Sequence, residues 1–226
     1  MTLPTSSINI INSNTARLSS NLAREGRQVL FSPTETFAGI AEDGFADLGL
    51  FPPDAKIAPT SNIQRSDIQA QNPNGGAPIV LASDTTSISI TYDIPVLTPD
   101  DTVRDLHNGT PSAEITDGPL AGSTISPITP GASIVGRLII LNRREGQNLV
   151  RVAWHPRAFL QSNGTGDSQN RDTVQFTATV QAFNYTPGST LTAYDAQITE
   201  YGAIFTVARD KVQTLLDTLA AEALPA

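Results

Sequence analysis

Two segments of this chain alternate apolar and polar residues with a period of two, a pattern that only an extended strand converts into one buried and one exposed face. Over residues 87–94, Ile88, Ile90, Tyr92 and Ile94 share one side, while Ser87, Ser89, Thr91 and Asp93 share the other. Over residues 173–182, Val174, Phe176, Ala178 and Val180 oppose Thr173, Gln175, Thr177, Thr179 and Gln181. Each strand therefore carries a wholly polar face. Residues 133–141 are apolar nearly throughout, and a turn over Arg143, Arg144, Glu145 and Gly146 leads into residues 149–154, which reads as a central hairpin. Further strands are expected at 29–31, 48–51 and 203–207, so the fold class is mainly β.

Two helices interrupt this pattern. Pro99, Asp100 and Asp101 open a short one, Val103 and Leu106 follow three apart, and Asn108-Gly109 ends it. The second covers residues 210–222, where Val212, Leu215, Leu216 and Leu219 form one apolar stripe that must dock somewhere. Residues 1–27 are rich in Ser and Asn with no sustained period, and such a segment reads as an extended arm that needs outside contacts to be ordered. The organisation expected is an arm over 1–27, a β domain over 28–208 and a C-terminal amphipathic helix over 209–226. Long connections are expected at 69–85 and 117–131.

A chain of 226 residues can bury a large core without covalent staples, and this one has no cysteine, which removes thiol chemistry, cysteine-ligated zinc and disulfides together. Its two histidines, His107 and His155, read as a helix-terminal residue and a satisfied or surface residue rather than as catalysts. Asn163-Gly164-Thr165-Gly166-Asp167-Ser168 matches neither a phosphate loop, a nucleophile elbow nor a calcium loop, and is taken as a hairpin loop. Neither an enzyme nor a cofactor or metal is expected. With 22 acidic against 14 basic residues the net charge is −8, which argues against tight nucleic-acid binding. No apolar run approaches the roughly 20 residues of a membrane span and no signal-peptide pattern opens the chain, so a soluble protein without a membrane partner is expected.

The charges are segregated. Residues 28–55 carry Glu35, Glu42, Asp43, Asp47 and Asp54 with no cation, and 98–118 carry Asp100, Asp101, Asp105, Glu114 and Asp117 against Arg104 alone. Residues 137–157 invert this, with Arg137, Arg143, Arg144, Arg151 and Arg157 against Glu145. Such a layout suits head-to-tail association of identical copies.

The order of elements resembles the major tail tube proteins of long-tailed, non-contractile bacteriophages. The parts that carry the likeness are the arm, the acidic segment over 44–51, a long hairpin over about 56–95 with a large tip, and the short helix ending at Gly109. The hairpin over 137–154 and the polar-faced strand over 173–182 complete it. The helix over 210–222 falls outside the pattern, and could be an intersubunit clamp or a lid on its own sandwich.

The resemblance implies a β-sandwich or barrel of the tail tube type. Its subunits form hexameric rings, each giving four antiparallel strands to a closed inner barrel, and the rings stack into a hollow tube that double-stranded DNA traverses without tight binding. A barrel of about 24 strands, spaced about 4.8 Å and tilted about 40°, has a diameter on the order of 48 Å, wide enough for a duplex. Lumen-facing candidates are Asp67, Ser87, Ser89, Thr91 and Asp93, which would repel the phosphates. Ring-stacking candidates are the tip residues Asn72, Asn74, Gly75 and Gly76, together with Arg143, Arg144, Asp100 and Asp101. The partners implied are further copies of the chain and other tail proteins (tape measure, terminator, distal tail), and the place is the virion, after synthesis in the host cytoplasm. The alternatives are another ring-forming virion component, or a monomeric β-sandwich binding module, against which the low aromatic content of 6% weighs.

Overall fold

The computed structural model describes residues 26–35, 37, 40, 44–97, 99–127, 129, 131–143, 148–168, 171–186 and 191–222. The arm lies outside them, except for Gly26 and Arg27, which already belong to the first strand. In chain order the strands are β1 (Gly26–Pro33), β2 (Ala46–Asp47), β3 (Thr60–Ala70), β4 (Ile79–Leu97), β5 (Ala113–Glu114), β6 (Thr124–Ile125), β7 (Ser133–Arg143), β8 (Leu149–Ser168), β9 (Arg171–Gln181) and β10 (Ala203–Ala208). The helices are α1 (Asp101–Asn108) and α2 (Val212–Ala220).

The protein is mainly β, as its alternating segments imply. One antiparallel sheet runs β2-β1-β7-β8-β9-β4-β3, with β10 also paired to β8. The backbone N–H of Leu97 at the end of β4 donates to the carbonyl of Leu50 at 2.7 Å, which ties the far side of the sheet back to the segment after β2. The sheet therefore wraps around a core of Val29 and Phe31, Leu138 and Ile140, Ala158 and Leu160, Phe176 and Ala178, and Tyr92, Ile94 and Val96. Helix α1 adds Val103 and Leu106 to it. The Asp100 carboxylate caps α1 by accepting from the Val103 N–H at 2.9 Å, and Gly109, at φ +78°, ends it in the left-handed conformation that glycine adopts freely.

A second core lies on the opposite face of β1, β7 and the first half of β8. Leu30, Phe45, Ile139, Leu141, Val150, Val152 and Trp154 are covered there by Val212, Leu216 and Leu219 of α2. Strands β1 and β7 are thus buried on both faces, which is why residues 133–141 read as an apolar run rather than an alternating one. Strand β8 serves both cores because Pro156 and Arg157 stand opposite Arg137 alone, a bulge that switches its even-numbered residues from the α2 side to the other core. At Gly136 the backbones come so close that a Cβ would stand 2.2 Å from the carbonyl oxygen of Ser32.

Four expectations are corrected. The connection over 69–85 shrinks to a turn over 71–78, because β3 and β4 stay paired through two register shifts that absorb the interrupted alternation. Residues 163–168 are not a loop but the end of β8, paired with β9 out to Ser168 and Arg171, since a register shift after Ser162 accommodates the glycines. The connection over 117–131 holds β6, which pairs with β5. The helix over 210–222 is a 3-10 turn at Arg209–Lys211 followed by α2, and it lies on the chain's own sheet.

Candidate functional site

Register, not sequence proximity, assembles the site. Residues Ser89 to Leu97 of β4 pair with β9, and β9 pairs in turn with Ala158 to Ser168 of β8, so the polar rows of the two alternating segments lie side by side. Thr91 stands opposite Thr179, Asp93 opposite Thr177, and Ser89 opposite Gln181. On β8, Phe159 and Gln161 continue the rows, and on β3 Thr60 and Asn62 extend them the other way. The result is one face across β3, β4, β9 and β8, built from Ser, Thr, Asn and Gln together with Phe159, with Asp93 among its residues. Asn163 Nδ2 donates to Thr177 Oγ1 at 3.0 Å, Thr177 Oγ1 donates to Asp93 Oδ1 at 3.4 Å, and Asn62 Nδ2 donates to Thr91 Oγ1 at 3.3 Å. Between Gln175 and Gln181 on β9, Ser87 and Asp93 on β4, and Phe159 and Asn163 on β8, this face holds no lysine or arginine. Arg157 borders it with its guanidinium over the rings of Phe159 and Phe183, at 5.4 and 5.5 Å from their centroids.

Beyond Ser89 only β3 and β4 remain. They leave the body as a two-stranded ribbon in which every residue of β4 from Ile79 to Ser87 and of β3 from Thr60 to Gln69 is exposed. Among the described residues neither outer edge has a partner strand there. The ribbon nevertheless carries large apolar side chains: Ile63 is 52% exposed, Ile68 54%, Val80 51% and Leu81 66%. Its tip is the turn with Asn72, Asn74, Gly75 and Gly76, where Asn72 Oδ1 accepts from the Asn74 N–H at 3.0 Å.

The base of the ribbon is braced from beneath. His155 Nδ1–H donates to the Tyr201 carbonyl at 2.7 Å, and Nε2 lies 2.8 Å from the Tyr92 hydroxyl, which donates to it when the ring is neutral. Burial holds His155 below the ordinary histidine range, although the Tyr201 carbonyl pulls the other way. Burial raises Tyr92, with Arg151 opposing. Tyr201 O–H donates to the Ile88 carbonyl at 3.4 Å, the point where β4 leaves the body.

Of the lumen-facing candidates, Ser87, Ser89, Thr91 and Asp93 share the polar face, but Asp67 does not. Alternation along β3 from the pair Ile63–Ile88 puts Asp67 opposite Ser83 on the side of Ile63, away from Ser87. Asp100 is engaged as the cap of α1, Asp101 is exposed in its first turn, Arg143 ends β7, and Arg144 lies outside the described residues.

The basic stretch over 137–157 is not one patch. Arg137 is fully buried, its guanidinium donating to the carbonyls of Leu219, Ala220 and Glu222 and to Ser32 Oγ. Sequence reasoning left Gln175, Thr177, Thr179 and Gln181 out of the site, although their polar row was visible, because only the β4–β9 register joins them to Ser89, Thr91 and Asp93. Among the described residues no helix is long and apolar enough to cross a membrane. No protein-family model matches the chain, and no curated protein matches it.

Proposed function

We propose that this chain is a structural, non-catalytic subunit of the tail tube type, which assembles as closed rings and stacked tubes whose inner wall is the polar face of β3, β4, β9 and β8. The observation that carries the reading is the ribbon: a pair of exposed strands with apolar side chains in solvent and edges unpaired among the described residues, continuous with a four-stranded polar face that has no cation inside it and Arg157 at its border. In a lone molecule such edges invite uncontrolled pairing. Pairing edge to edge around a ring removes them, and closure of this kind is how β proteins abolish free edges.

The composition of the face fits a wall past which DNA moves. A duplex presents a charge about every 1.7 Å, and each clustered lysine or arginine would add a phosphate contact and slow it. Hydroxyls, amides and an occasional carboxylate hold no phosphate strongly, and Asp93 adds repulsion. Double-stranded DNA is therefore a passenger rather than a ligand, and the virion is the place of action.

The test is negative-stain microscopy of the concentrated protein. Hollow filaments or rings with a central hole support the proposal. A monodisperse monomer at every concentration up to the millimolar range contradicts it and favours a binding module.

A further inference from the structure

At the end of the molecule where β7 and β10 finish and β1 and β8 begin, a cleft of about 420 Å³ is lined by Arg27, Arg143 and Arg151, with Asn142 and Thr206 between them. Burial lowers the pKa of Arg143, and the charge of Arg209, which follows β10 directly, lowers it further. Among the described residues these arginines have few partners: Arg143 donates to Gln28 Oε1 at 3.4 Å and Arg27 to the Ala55 carbonyl at 2.9 Å. The buried acid nearby, Asp47, partly offsets the effect on Arg143 but is already held by Gln28 Nε2 and the Gly49 N–H. Asp54 and Asp210, the other acids close in sequence, are exposed. Three guanidinium groups lining one cleft, with Arg209 near enough to act on Arg143, in a chain of net charge −8, call for an anion from outside the subunit.

The opposite end of the same strand supplies one. Strand β7 runs from Ser133 to Arg143, so its ends are about 33 Å apart. At the Ser133 end lies α1, where a Cβ at Gly109 would press against Ala132. Asp101 is exposed in the first turn of α1, and Glu114 and Asp117 are exposed just beyond it, with Arg104 as the cation among them.

We propose that the arginine-lined cleft is a carboxylate site filled by Asp101, Glu114 and Asp117 of a second copy, so that subunits join head to tail along the strand direction. The inference rests on the self-assembly reading above and gives it a chemical contact: one copy's cleft is incomplete without the next copy's acids. The planar fork of arginine matches a carboxylate in two hydrogen bonds, which adds register to attraction.

Charge reversal at exposed positions tests it. Arg151→Glu with Arg209→Glu, and separately Asp101→Lys with Glu114→Lys, are each expected to raise the concentration needed for assembly about tenfold or more. The chain carrying all four changes is expected to return to within about threefold of the original, which also shows that the variants fold. Assembly is read by sedimentation and light scattering, and its form by microscopy. If the original chain assembles and either reversal leaves its concentration threshold unchanged, the site is overturned while the tube reading stands. If the reversals act as expected but the product is a solid filament without a channel, the site stands and the tube reading falls. A chain that never associates overturns both.

Discussion

Arg137 shows how much one side chain can decide. A buried guanidinium is costly unless its donors are used, and here Nη1 meets the carbonyls of Leu219 and Ala220 at the end of α2 and of Glu222 just past it, while Nη2 meets Ser32 Oγ. The ring of Phe45 lies 5.0 Å from the same guanidinium carbon. Replacing Arg137 by Met removes these bonds and leaves the carbonyls of Leu219, Ala220 and Glu222 buried without that donor, so a loss of about 3 kcal/mol is expected in urea unfolding. A loss below about 1 kcal/mol would show that α2 holds without the latch. His155 makes a second residue-scale prediction. Its folded pKa lies below the ordinary value near 6.5, so below that pH the unfolded chain takes up a proton that the folded chain resists. Stability is therefore full above about pH 6.5 and falls as the pH drops below it. In His155→Gln the difference in melting temperature between pH 7.5 and pH 5 is expected to shrink; an unchanged difference would assign the pH dependence to other groups.

At the scale of elements, the ribbon separates folding from assembly. Every core residue lies outside the stretch between Ile63 and Ile88, which face each other in the register. Replacing residues 64–87 by an Asn-Gly turn is expected to leave the melting temperature within a few degrees and to abolish assembly. Collapse of the body on this deletion would mean that the ribbon has a folding role. The same element shows what the sequence could and could not convey. Alternation over 87–94 located β4, but the register shifts at Thr86 and Leu81 hid its first half, so a strand beginning at Ile79 read as a long connection. Residues 163–168 carried glycine-rich loop chemistry, yet pairing with β9 made them strand. The apolar stripe of α2 was legible from its spacing, whereas its docking surface was not. That surface is formed by odd-numbered residues of β7 and even-numbered residues of β8, brought to one face by pairing. The cleft arginines, drawn from β1, β7 and β8, lie too far apart in sequence to announce one another.

At the scale of the whole molecule, one face of the sheet wraps the first core, while the other carries the second core under α2 and, beside it, the polar rows of β3, β4, β9 and β8, which the proposal assigns to the channel. The cation-free composition of those rows matters only if DNA passes them. Thr177→Arg with Thr179→Arg places two cations mid-face on partly exposed positions and is expected to leave assembly intact. The tubes should then retain DNA with a steep dependence on salt. Assembled variant tubes that hold no more DNA than the original would place these threonines outside the lumen. The most direct measurement is a cryo-electron microscopy reconstruction of the assembled protein at a resolution that separates strands. The account predicts a hollow wall in which Thr91, Asp93, Thr177 and Thr179 point to the axis and β3 pairs through its outer edge with a neighbouring subunit. A wall with those residues on the outside, or with β3 unpaired, would contradict it.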